Sequence, residues 1–364
     1  MHTEQYPPFR RVLITRMKFI GDVILTTPII RSLRAALPSA YIAYMGEKEA
    51  VSLLEHNPYL DEVIPFDFSV PSIIEQTRVG LLLRRRRFDL VIDLFGNPRS
   101  ALLTYLSGAQ TRVGLDRPGR GKLYTVRIQD VKKPKTAIGF HEQFLRALGI
   151  PTTTARTEIM LTDEERRNAA RLLASLEGRA PIGDAPPPVI GIHAGATWPA
   201  KMWLPDRFGE LAAMICSKLG ARVVLTAGPK DKETIARVMA VAGSSALALP
   251  VLTLRQLAAV IAQCSVFVSN DAGPMHIAPA VGVPTIGLFG PGEEEIWFPY
   301  LRAEGHLALR MDVPCHPCHL HVCNRPGDQY MECMKLLTVE EVSEAVKASF
   351  QMRNEQGSAR KPQM

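Results

Sequence analysis

No apolar run in this chain approaches the ~20 residues needed to cross a bilayer, so a membrane-spanning helix is not expected. The opening MHTEQYPPFRR has no apolar stretch after its basic residues, so a secretory signal is not expected either. Without delivery to an oxidising compartment, the six cysteines should begin as cytosolic thiols. Carboxylates are scarce between Arg99 and Lys135, where only Asp116 and Asp130 stand against nine Lys and Arg. Aromatics are sparse there too, which argues against single-stranded nucleic acid as the partner.

What is present is a 364-residue chain with 46% hydrophobic and 22% charged residues. That is a globular composition, and the length suggests two domains. The charge is uneven. Residues 1–180 hold 27 Lys and Arg against 19 Asp and Glu, whereas the remainder holds 16 against 17. A basic half beside a neutral half suits an anionic partner: nucleic acid, a membrane surface or a phosphorylated glycan. Solvated surface charge is the plainer reading.

Short β-type runs alternate with helix-period segments throughout. Arg11–Thr15 reads as a buried strand, 21–37 as a helix, and Tyr41–Met45, Glu62–Phe66 and Asp89–Leu94 as strands. The Pro/Gly/Ala-rich stretch GRAPIGDAPPP at 178–188 reads as a linker. The alternation then restarts with strands near Val189–His193, Arg222–Ala227, Ala246–Leu249, Val266–Ser269 and Thr285–Phe289. Each half is therefore expected to be a doubly wound α/β domain, binding ligands at the carboxyl ends of its strands. No internal repeat is evident in the sequence, and the tail after Met352 reads as polar and frayed.

Five stretches carry candidate chemistry. Thr15-Arg16-Met17-Lys18-Phe19-Ile20-Gly21-Asp22 lies where the first strand ends and a helix opens. There Asp22 is either a general base for an attacking hydroxyl or a helix cap. The glycine spacing of a dinucleotide fingerprint is absent. His193-Ala194-Gly195-Ala196-Thr197, followed by Lys201 and Trp203, offers loop amides, a hydroxyl and a point charge for phosphate oxygens. Lys201 read alone is more commonly an ordinary exposed lysine; Trp203 reads as core. Ser269-Asn270-Asp271-Ala272-Gly273-Pro274-Met275-His276 joins a strand to a helix with proline in its first turn. The amides of Gly273, Met275 and His276 would face an anion, and Asp271 would hold sugar hydroxyls unless it or Asn270 merely caps the helix. The fourth is Cys315-x2-Cys318-x4-Cys323-x9-Cys333, with His316, His319 and His321 between. It reads as a structural zinc site, away from the strand-end loops, or as a set of reduced thiols. Cys216 and Cys264 read as buried small hydrophobes. The last is basic sequence. Arg84–Arg87 suits a helix end, while Arg99, Arg112, Arg117, Arg120, Lys122, Arg127, Lys132, Lys133 and Lys135 would grip phosphates or carboxylates.

Taken in order, RVLITRMKFIGDVILTTPIIRSLR at 11–34, HAGATWPAKMWLP at 193–205 and SNDAGPMHIAPAVGVPTIGLFGP at 269–291 resemble the heptosyltransferase family, glycosyltransferase family nine. The similarity runs from about residue 11 to 345, nearly the whole chain. The resemblance implies a GT-B fold, two Rossmann-like domains facing across a cleft. It implies an acceptor-binding domain over 1–180, a nucleotide-sugar domain over 189–337, a terminal helix over 338–352 returning to the first domain, and a frayed tail over 353–364. It implies inverting transfer of heptose from ADP-heptose to the lipopolysaccharide inner core, without a catalytic metal. Asp22 is then the base. Thr197, Lys201, Asp271, Gly273, Met275 and His276 form the donor site, and Lys18, Arg99, Arg117 and Arg120 are the acceptor-binding set. The chain is expected to be cytoplasmic, peripheral to the inner membrane, and not to bind nucleic acid. Two features depart from the family: Ala272 replaces the threonine of an Asp-Thr-Gly turn, and Gly292-Glu293-Glu294-Glu295 is unusually acidic. A nucleotide-sugar 2-epimerase and a non-catalytic binder of anionic glycans are the competing readings.

Overall fold

The structure, a computed structural model, describes residues 9–129, 136–152, 156–177 and 187–359. Lys132, Lys133, Lys135, most of the expected linker and the last five residues lie outside these. The chain divides after Met160 into two compact units.

The first unit opens with β1 (Arg11–Thr15), α1 (Ile20–Ile24) and α2 (Thr27–Ala36), then β2 (Tyr41–Glu47), α3 (Lys48–Val51) and β3 (Glu62–Phe66). It continues through α4 (Ser72–Arg86), β4 (Leu90–Asp93), α5 (Pro98–Leu106), β5 (Thr111–Leu115), β6 (Val126–Ile128) and α6 (Ala137–Arg146). The helix expected over 21–37 is thus two. Pro28 has no amide to continue the ladder, and the hydroxyls of Thr26 and Thr27 donate to the carbonyls of Val23 and Ile24 at 2.7 and 2.8 Å. The basic segment 99–135 contains most of α5 and two strands. Val126–Ile128 is only three residues long, and Thr111–Leu115 carries an arginine and a glycine, so neither shows an apolar run.

The second unit contains α7 (Asp163–Glu177), β7 (Val189–His193), α8 (Pro205–Leu219), β8 (Arg222–Thr226), α9 (Lys232–Ala242) and β9 (Ala246–Ala248). After these come α10 (Leu254–Ile261), β10 (Val266–Asn270), α11 (Gly273–Ala280), β11 (Thr285–Phe289) and α12 (Glu294–Trp297). It closes with β12 (Leu307–Arg310), α13 (Glu332–Lys335) and α14 (Val339–Ala359). The expected boundary at 178–188 falls inside this unit, because α7 packs on α10. Arg255 clamps Glu165 across that contact at 2.5 Å, and holds its carboxyl down to about 2. The terminal helix, assigned to the first domain from sequence, buries Val342, Ala345 and Val346 in the core of the second. Nor does it fray at 353: α14 runs to Ala359, and Arg353 donates to the carbonyls of Cys264 and Ser265 at 2.5 and 2.8 Å.

Both sheets are parallel throughout, ordered β3-β2-β1-β4-β5-β6 and β12-β11-β10-β7-β8-β9. Renumbered from its own first strand, the second sheet repeats the order of the first. The repeat is one of topology, which sequence comparison does not register. In each sheet the order reverses between the first and fourth strands, where ligand sites open at the carboxyl edge. Buried apolar strands such as Val12, Ile14, Ile190 and Ile192 fill both cores. Among the described residues no helix is long and apolar enough to cross a membrane. Cys264 is buried as expected and its thiol is pushed up to about 12 by that burial, but Cys216 is exposed.

Candidate active site

In the first unit, register places Thr15 beside Asp93, so the reversal point is a polar seam. Thr15 Oγ1 donates to Asp93 Oδ1 at 3.0 Å and Tyr124 Oη donates to Oδ2 at 2.7 Å. Just past β1, Asp22 stands in the first turn of α1. It is not the cap residue itself. Its Oδ2 accepts the Phe19 amide at 3.2 Å, and its Oδ1 pairs with Arg16. Asp22 therefore helps close the helix, and the same bonds fix its carboxylate in one orientation beside a cation. Arg16 in turn lies 4.8 Å over the Phe95 ring.

Within electrostatic reach of this pair lies a residue that sequence reasoning missed. His141 on α6 is buried, its Nδ1 has no hydrogen-bond partner among the described residues, and burial pushes its imidazole down to about 3, with Arg16 adding to the shift. It is therefore neutral near pH 7. In AIGFHEQFLR it reads only as one more position on an amphipathic helix. The acceptor set is partly gathered. Lys18 Nζ and the Arg99 guanidinium both lie over Phe68, at 4.2 and 5.1 Å, and Lys18 Nζ is 3.8 Å from Glu47. Arg120 donates to the carbonyl of Gly96 at 2.6 Å, and Arg117 lies on the same turn, its carbonyl accepting the Gly121 amide at 2.8 Å.

In the second unit the two expected loops are stitched together. Ser269 registers with His193. Buried Asn270 accepts the Trp203 amide at 3.0 Å and donates to the Ala194 carbonyl at 2.8 Å. It is thus a brace, not a helix cap; the cap position of α11 is Ala272. This brace sets Lys201 Nζ 2.5 Å from Asp271 Oδ2, with both side chains largely buried. Lys201 also lies 4.7 Å over Trp198. A Cβ at Gly292 would come within 2.8 Å of Asp271, so the next strand-end loop closes on the same pair. Trp203 is core, its indole donating to the Leu337 carbonyl at 3.1 Å.

Of the remaining donor candidates, Gly273 opens α11, Thr197 is exposed nearby in sequence, and His276 Nδ1 lies 2.9 Å from Tyr300 Oη. Met275 is a correction. Its side chain is buried with Phe289 and Phe298, and its amide donates to the Ala272 carbonyl at 3.1 Å, so neither group faces a ligand. Buried His193 was read only as part of the loop. Its Nδ1 lies 3.0 Å from Thr226 Oγ1, and its Nε2 lies 3.9 Å from Asp231, whose carboxylate presses on Gly195. Burial holds this imidazole below its ordinary value.

The cysteine loop is not away from the strand-end loops. The His321 carbonyl accepts the Ala200 amide at 3.1 Å, and its ring lies 4.0 Å from Trp198. His319 donates its amide to Pro291 at 3.0 Å, and His316 Nε2 lies 2.9 Å from the Gly292 carbonyl. The loop therefore packs directly on the backbone that carries Lys201 and Gly292. Burial, together with neighbouring Cys315, Cys318 and Cys323, pushes the Cys333 thiol up to about 11. The four thiols gather, yet among the described residues no group of three or more Cys, His, Asp or Glu is arranged to hold a metal ion.

Two parallel α/β sheets of one strand order, each with its loops at the carboxyl edge, are the GT-B architecture. The family model described as glycosyltransferase family 9 (heptosyltransferase) matches residues 77–327. The chain belongs to that family. It is 29% identical to lipopolysaccharide heptosyltransferase 1 of Pseudomonas aeruginosa, over 86% of this chain and 87% of the relative. Among solved structures, a family 9 glycosyl transferase from Veillonella parvula superposes with a TM-score of 0.80 at 25% identity, covering 95% of this chain and 99% of that one. The E. coli ADP-heptose lps heptosyltransferase II gives 0.75 at 23% identity, with the same coverage.

Proposed function

We propose that the chain transfers heptose from ADP-heptose to the phosphate-rich inner core of lipopolysaccharide by direct displacement with inversion. The observation that carries this reading is the Lys201–Asp271 pair, set by Asn270 beside the first turn of α11. A cation next to the Gly273 amide, at the positive end of α11, suits a diphosphate, and an adjacent carboxylate suits sugar hydroxyls. The acceptor hydroxyl attacks the anomeric carbon, Asp22 takes its proton, and ADP departs. Lys201 and the Gly273 amide stabilise the charge growing on the leaving diphosphate, each such donor contributing about 3 kcal/mol. Thr197 and His276 complete the donor side. Lys18, Arg99, Arg117 and Arg120 hold the acceptor's anionic groups. We place the protein in the cytoplasm, peripheral to the inner face of the inner membrane, where such an acceptor would meet it.

The experiment is a donor screen with truncated lipopolysaccharide, read by mass spectrometry. The acceptor should gain the mass of one heptose as ADP is released. Donor isomerised in the absence of acceptor would favour an epimerase, and acceptor bound with ADP-heptose left intact would favour a glycan-binding protein.

Catalysis as proposed needs no cofactor. A structural zinc on Cys315, Cys318, Cys323 and Cys333 remains a separate proposal, supported by the gathering of the four thiols and opposed by the lack of a ligating arrangement. No chemical step passes through it. Protein purified without air should carry about one zinc per chain; metal-free protein of unchanged melting temperature would dispose of it.

A further inference from the structure

On the surface of the first unit, six large apolar side chains are left uncovered on two neighbouring helices. Ile73, Ile74 and Leu81 of α4 are 77%, 58% and 56% exposed, and Leu102, Tyr105 and Leu106 of α5 are 41%, 53% and 43% exposed. Single exposed apolar residues need no explanation, but a contiguous patch marks a docking surface. The two helices meet closely at Gly80, where an added Cβ would touch Leu106 and Leu103 at 3.6 and 3.9 Å. Beside this contact lies a groove of about 560 Å³, walled by Leu81, Tyr105 and Leu106 and edged by Arg84 and Arg112.

Charge decides what the patch meets. Residues 72–87 and 98–115 contain seven arginines and one carboxylate, Glu75. That carboxylate is only 1% exposed and is paired with Arg78 at 2.6 Å. The face is thus apolar at its centre and cationic at its edge, and neither helix segment carries an exposed carboxylate. A second copy of the chain in a two-fold contact would set arginine against arginine. An anionic bilayer matches both features: apolar side chains enter the headgroup boundary and arginines meet lipid phosphates.

We propose that the α4–α5 face docks the protein on an anionic lipid bilayer; the proposal rests on the peripheral placement given above. α5 carries Arg99 in its first turn and Leu102, Tyr105 and Leu106 in the next two. The docking face is therefore continuous with the cations assigned to the acceptor.

The test pellets the full-length protein with vesicles of phosphatidylcholine alone or mixed with phosphatidylglycerol. Wild type should pellet only with the anionic vesicles. An Arg84→Gln/Arg85→Gln variant should lose roughly fivefold in affinity per arginine. An Ile73→Gln/Ile74→Gln/Leu81→Gln variant should also lose binding, and both should keep wild-type turnover on a delipidated, water-soluble acceptor. Wild-type vesicle binding by both variants would overturn the proposal, as would equal binding to both kinds of vesicle. So would a dimer in light scattering that the triple variant dissociates while wild type ignores vesicles. Pelleting needs no sugar transfer, so a chain that binds anionic vesicles but moves no heptose leaves this proposal standing and removes the other.

Discussion

Asp22→Asn should lower turnover by about 10²–10⁴-fold, the usual contribution of a general base, with affinity for ADP close to wild type. Asparagine has nearly the shape of aspartate, and its Oδ1 still accepts the Phe19 amide that Asp22 accepts at 3.2 Å. What it lacks is a lone pair basic enough to take a proton, and a charge to face Arg16. Steady-state kinetics with calorimetry of ADP binding separates the two effects, because Lys201 and Asp271, the proposed donor residues, belong to the other unit. A purely capping Asp22 predicts something different: a lower melting temperature, from up to about 2 kcal/mol lost, and turnover per folded molecule unchanged. Wild-type turnover in a folded variant removes Asp22 as the base.

Lys201→Ala should weaken ADP binding by about 10–100-fold, the range for hydrogen bonds to charged groups. The loss has two parts. The diphosphate loses its cation, and Asp271, which Lys201 holds at 2.5 Å, is left as a bare carboxylate beside an anion. Lys201→Arg should recover part of the affinity, since the charge returns with altered geometry. Adding Asp271→Asn to Lys201→Ala should recover some as well, because it removes the repulsion. Calorimetric titration with ADP reads all of these, and an unchanged dissociation constant in Lys201→Ala takes the residue out of the site.

The pattern of alternating strands and helices made both α/β halves legible, because their central strands are buried on two faces and read as continuous apolar runs. Elements at the margins were not. β12 (LALR) is half-exposed and lacks such a run. Missing it had a consequence at the site: the cysteine loop follows the carboxyl end of that strand, the same edge as the loops after β7, β10 and β11. Read without β12, the cysteines belong nowhere near the donor loops; with it, their contact with Ala200, Pro291 and Gly292 is what strand order requires. The brace role of Asn270 was equally hidden, since its partners Ala194 and Trp203 are 76 and 67 residues away. Lys201 and Asp271 were legible as loop residues because a strand end, small residues and a helix start coincide around each. That the two form one pair was not written locally. Nor could sequence show that His141 feels the charges of Arg16 and Asp22, from a helix more than a hundred residues downstream.

Single displacement assisted by one carboxylate is tested by the anomeric configuration of the new linkage, read by NMR of the glycosylated acceptor. Inversion relative to ADP-heptose is the predicted result. Retention would mean either two successive displacements or attack from the leaving-group face, and both contradict the role given to Asp22.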